Sequence, residues 1–197
     1  MQCSVWLALE KAIRSYGWYY LFYDKKQNVF AGDLQWPVKE DPFLLLRNCR
    51  GTKAILGALK RYTGIELSPR EGLPEGQPVR EEEGGSPGQR RKALGKILHD
   101  WIRREGLTEN QVVVLGAHSL EHTCMEQTGH AASFKIVERG TPGPGMIPYY
   151  TYMAFKGCEA DAVILLDVDP KDERWDKMGL YTAMTRARHL LGVVRRE

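Results

Sequence analysis

The sequence predicts an α/β protein built on a mostly parallel sheet flanked by helices. Gln111–Leu115 and Ala162–Leu166 are short aliphatic runs without polar alternation. Strands read this way when helices cover both faces of a parallel sheet. Between and around them lie stretches of helical period, and each ends at a breaker: 52–63 before Gly64 and 91–104 before Gly106. A polar residue, Asp167, closes the longer run. Ligands of open α/β sheets gather beyond the carboxyl ends of the strands, so Asp167 is expected near a site.

The 197 residues suffice for one well-cored domain, and a hydrophobic fraction of 43% is ordinary for a globular chain. A formal charge of +3 with a pI near 8.6 permits nucleic-acid contact without arguing for it. Cys3, Cys49, Cys124 and Cys158 are scattered with no C-x-x-C pair, which reads as reduced thiols of a cytoplasmic protein and not as a disulfide framework or zinc ribbon. No stretch reaches the roughly 18 apolar residues of a membrane span, and no signal peptide is evident, so no membrane partner is expected.

In chain order, Val5, Leu7, Leu9, Ala12 and Ile13 mark an amphipathic helix over 4–16 that Gly17 stops, and a strand is expected over 18–23. Asp24, Gln27 and Phe30 follow that strand; alone they fit a strand edge with a polar turn and a core phenylalanine. Arg47, Asn48 and Arg50 precede the next helix, for which Thr52 is the expected N-cap. The stretch 68–90 shifts to Pro, Gly and Glu and reads as a flexible excursion within a single domain spanning 1–197. Leu94, Ile97, Leu98, Trp101 and Ile102 form the apolar stripe of the following helix. His118, His122 and Cys124 lie close in sequence, but no fourth ligand is placed nearby and no metal site is expected. Phe134–Val137 is an expected strand, and the turn-rich loop 140–145 leads to the stretch from Thr151. Met178, Tyr181, Met184 and Ala187 share one helical face, with Arg186 and Arg188 at its far end before a strand over 190–194. On a helix those two arginines diverge, so one phosphate takes at most one of them.

Phe155-Lys-Gly-Cys-Glu-Ala-Asp-Ala-Val-Ile-Leu165 followed by Leu180-Tyr-Thr-Ala-Met-Thr-Arg-Ala-Arg-His189 resembles the last two signature motifs of UvrD/Rep-type superfamily 1 helicases. Asp24, Gln27 and Phe30 resemble the third motif of that family, and Asn48-Cys-Arg50 the fourth. The resemblance implies a RecA-like domain of the P-loop NTPase type, the second of two in an ATP-dependent DNA helicase of the kind used in DNA repair. By the same resemblance, Arg186 and Arg50 act on the transferring phosphoryl group, and Asp24, Gln27, Gly157 and Glu159 belong to the nucleotide site. Phe30, Thr151 and Lys156 contact single-stranded DNA, or RNA; Met153 stands where many members carry a histidine. ATP with Mg²⁺ is implied only for the complete motor, because the chain contains no Gly-x-x-x-x-Gly-Lys-Ser/Thr loop and no acidic catalytic pair. An N-terminal P-loop domain is therefore the implied partner, and the isolated chain is expected to be inactive. The competing expectation is a non-catalytic nucleic-acid or protein interaction module with a degenerate RecA-like fold.

Overall fold

The computed structural model describes residues 47–197 and Lys11. The helix expected over 4–16, the strand over 18–23, and Asp24, Gln27 and Phe30 lie outside the described residues.

Short strands β1 (Arg47–Asn48) and β2 (Ser68–Pro69) pair in parallel around helix α1 (Lys53–Thr63). The helix begins where the sequence places it: the Thr52 hydroxyl accepts the Ile55 N–H, and Gly64, at φ +67°, turns the chain left-handed and donates its N–H to the Lys60 carbonyl. The main sheet takes its edge strand β3 from Arg80–Gly84. Helix α2 (Pro87–His99) follows, then β4 (Val112–Gly116), β5 (His130–Ala131), β6 (Phe134–Glu138), β7 (Met146–Thr151) and β8 (Ala160–Val168). Helix α3 (Lys177–Met184) and strand β9 (Ala187–Arg196) complete it. The seven strands lie in the order β3-β9-β8-β4-β7-β6-β5, all neighbours parallel except β5 with β6. This is the predicted mostly parallel α/β architecture.

Both faces of the sheet are buried, as the unbroken aliphatic runs require. Ala162, Ile164 and Leu166 of β8 turn to one face, against Leu94, Ile97 and Leu98 of α2 and Trp101 just beyond it. Val163 and Leu165 turn to the other, against Ile55, Ala58 and Leu59 of α1 and Leu180, Ala183 and Met184 of α3.

Three expectations are corrected. The excursion over 68–90 contains β3 and the start of α2. Glu81, Glu82 and Glu83 form a strand because β9 offers a ladder and each carboxylate meets a cation: Arg61 for Glu81, Lys96 for Glu82 and Arg195 for Glu83. Second, α2 starts at Pro87, behind a capping box in which the Ser86 hydroxyl accepts the Gln89 N–H and the Gln89 side chain accepts the Ser86 N–H. It ends at His99, and residues 100–104 widen into a π-turn. Third, α3 stops at Met184, so Ala187 and Arg188 belong to β9 and not to a helix end.

Candidate nucleotide-facing site

β8 and β9 run side by side in parallel with Ala160 opposite Ala187, so the residues just before each strand meet at the amino-terminal edge of the sheet. Those residues are Glu159 and Arg186. The Ala160 N–H donates to the Arg186 carbonyl at 3.0 Å, which locks the two approaches together. The turn ahead of α1 brings the third participant. Gly51 holds φ +72°, and a Cβ there would stand 3.5 Å from the Ala187 carbonyl oxygen, so the turn lies directly against the start of β9. The Asn48 carboxamide oxygen accepts the Arg50 N–H at 2.8 Å and shapes that turn.

The result is a cluster of two arginines and a glutamate. Arg50 Nη1 lies 2.8 Å from Glu159 Oε1, with 67% and 29% of the respective side chains exposed. Arg186 is 2% exposed. Its Nε–H donates to the Thr182 carbonyl at 3.0 Å, Nη1–H to the Cys158 carbonyl at 3.3 Å and Nη2–H to the Thr185 hydroxyl at 3.1 Å. Burial lowers its proton affinity from the usual guanidinium range; the Glu159 charge opposes that shift and the Arg50 charge adds to it. The three charges therefore act on one another. A pocket of about 120 Å³ opens here, with Asn48, Arg50 and Arg186 at a polar end and Ile55, Leu59 and Tyr181 on an apolar wall.

Arg50, two-thirds exposed, offers a guanidinium fork whose donors match phosphate oxygens, and Arg186 adds a buried positive charge to the same cluster. Among the described residues no group of three His, Cys, Asp or Glu side chains is arranged to hold a metal ion. Asn48, which shapes the turn at Arg50, stands in the Asn48-Cys-Arg50 motif read from the sequence, whereas Thr185, which binds Arg186, carried no separate signal there.

The other sequence-predicted residues divide between the two edges. Thr151 ends β7 opposite Gly116, at the carboxyl edge, and its hydroxyl accepts the Ala154 N–H at 3.2 Å. Residues 152–159 then run back along the sheet to β8, with Lys156 and Gly157 exposed and Gly157 at φ +89°. So Thr151 and Glu159, neighbours in one motif, stand at opposite ends of the strands. Arg188 turns to Asp161, at 3.3 Å.

Asp167 is not at this site. It closes β8 at the far edge in the left-handed region, φ +56°, and is held from three sides. Arg90 Nε donates to its Oδ1 at 2.7 Å, the Cys124 N–H to its Oδ2 at 2.6 Å, and the Trp175 indole to its carbonyl at 3.0 Å. The rule that ligands sit beyond the carboxyl edge fails for this residue because its carboxylate is consumed internally. His118, His122 and Cys124 do not converge: His118 Nε2 pairs with Asp172 at 2.7 Å, His122 lies beside Glu121, and Cys124 is buried.

With this geometry in hand, comparison with known proteins is informative. Residues 151–194 match the family model of the UvrD-like helicase C-terminal domain. The C-terminal domain of a possible DNA helicase from Lactobacillus plantarum WCFS1 superposes with a TM-score of 0.55 at 19% identity, covering 75% of this chain and 87% of that one. The PRRSV helicase gives a TM-score of 0.37 at 15% identity, over 77% of this chain, which spans 23% of that protein's length. No curated protein matches the chain significantly. The chain shares the fold of the Lactobacillus plantarum domain, a mostly parallel sheet of the RecA-like kind flanked by helices. The family match is confined to residues 151–194, from the end of β7 to β9.

Proposed function

We propose that the chain is the second motor domain of an ATP-dependent superfamily 1 DNA helicase, contributing Arg50 and Arg186 to an ATP site that a P-loop domain completes. The observation that carries this reading is the convergence of Arg50, Glu159 and Arg186 at one sheet edge, from three separate motifs. Phosphoryl transfer rests on positioning and on neutralising charge as it develops, and two guanidinium forks perform the second task. ATP with Mg²⁺ belongs to the completed site: the Gly-rich loop, its lysine and the metal ligands come from the partner. Arg50, largely exposed, meets the incoming phosphates first. Arg186, fixed by the Thr182 and Cys158 carbonyls, holds its charge in place without reorganisation. Single-stranded DNA, or RNA, is gripped at the opposite edge by Thr151 and by Lys156 of the returning segment.

The test is ATPase activity, measured on this chain alone and on the complete motor with Arg186→Lys and Arg186→Ala. The chain alone is expected to be inactive. An arginine in this role is typically worth about 10³–10⁵ in turnover, and lysine does not replace a planar fork. A motor indifferent to both substitutions, or Mg²⁺-dependent turnover by the chain alone, refutes the reading.

A further inference from the structure

Arg50, one of the two arginines assigned to phosphate, is already paired with an anion of the protein's own. Glu159 places a carboxylate oxygen 2.8 Å from Arg50, and its charge acts on Arg186 as well. A carboxylate and a phosphate present the same acceptor geometry to a guanidinium, and both bind it by paired, charge-assisted hydrogen bonds. Glu159 immediately precedes β8, whose backbone is fixed on both sides by β4 and β9. The carboxylate therefore cannot drift away; it leaves Arg50 only by rotation of its own side chain.

We propose that Glu159 is an internal stand-in for phosphate, which occupies Arg50 in the free domain and is displaced when the polyphosphate of a nucleotide enters. This rests on the phosphate-directed reading of Arg50 and Arg186 and adds a competitor to it. Without nucleotide, the ion pair keeps Arg50 from capturing stray anions. With nucleotide, the released carboxylate becomes available to hydroxyl donors such as those of a ribose. The exchange is readily reversible, because a pair this exposed is weak and a polyphosphate carries several charges against one.

The experiment measures binding of inorganic tripolyphosphate to the 197-residue chain by isothermal titration, for wild type, E159Q, R50A, R186A and the E159Q/R50A pair, at low and at high salt. Removing a competing surface carboxylate is expected to tighten binding about two- to tenfold, the range set by the worth of such pairs. That gain should shrink in the R50A background, because Glu159 and Arg50 act as a unit. ADP, which carries a ribose, should gain less than tripolyphosphate. Equal or weaker binding by E159Q, or an undiminished gain in R50A, overturns the stand-in role while leaving the arginine site intact. If instead R50A and R186A both bind tripolyphosphate as wild type does, the phosphate site itself falls. Unchanged thermal melts of the variants confirm that folding is not the cause.

Discussion

Replacing Asp167 with alanine should destabilise the domain more than any substitution in the cluster of Arg50, Glu159 and Arg186. Arg90 has 5% of its side chain exposed, and its charge is met by the Asp167 carboxylate together with the Gly84 and Gly85 carbonyls. Alanine strands that guanidinium, orphans the buried Cys124 N–H, and puts a non-glycine residue without a local hydrogen bond into the left-handed region. Breaking one side of a buried pair costs about 3–5 kcal/mol. For a chain of this length, each kcal/mol moves the melting temperature by roughly 2–4 °C, so a fall of about 6–20 °C is expected. Urea unfolding should show the midpoint lowered by about 1 M or more with the slope unchanged. Asp167→Asn keeps an acceptor and tolerates the backbone, so it should fall between wild type and alanine. Asp167→Asn combined with Arg90→Met removes both charges and should recover part of the loss. A stability within about 0.5 kcal/mol of wild type for Asp167→Ala, the range of ordinary surface changes, would refute this account.

Other outcomes follow from single groups. Burial, with the Asp167 charge, lifts the Cys124 thiol from 9.0 to about 12. Burial and its hydrogen bond to Glu81 lift the Tyr62 hydroxyl from 10.0 to about 12. Above pH 9 the native protein keeps these protons while the unfolded chain releases them, so stability should fall as pH rises from 9 towards 12, as urea midpoints at pH 8 and pH 10 would record. A brief treatment with iodoacetamide at pH 8 should label exposed Cys49 and Cys158 and spare Cys124 until urea is added, read by peptide mass mapping. Thr52→Ala removes the cap of α1 and should cost about 1 kcal/mol in urea unfolding, with Thr52→Ser near wild type.

The parts of the fold legible in the sequence were those fixed by burial or by a local cap. The aliphatic runs at 112–115 and 162–166 had to be two-faced strands, and Thr52 with Gly64 delimited α1 to the residue. β3 was illegible because its stability comes from partners far along the chain: Glu81 to Glu83 have low strand propensity, and only β9 and the cations around it make them extend. The start of α2 carried a readable signal, Ser86-Pro-Gly-Gln89, which the surrounding glycines and prolines outweighed. The Arg50, Glu159 and Arg186 grouping followed from motif resemblance, whereas the opposite placement of Thr151 and Glu159 needed the strand directions. Asp167 misled for a related reason: its pairing with Arg90 spans 77 residues and has no local trace.

The acidic strand at the border of the sheet also governs how copies of the domain meet. Among the described residues β3 pairs on one side only, so no described strand covers the row of amide and carbonyl groups on its other side. Such a row invites a second chain to zip on, and a hydrophobic strand there would seed fibrous assembly. Three successive glutamates, each paired with a cation of the same chain, give this border a charged and not an apolar character, which disfavours such pairing. The composition that hides this strand from sequence inspection thus also keeps the sheet from growing sideways.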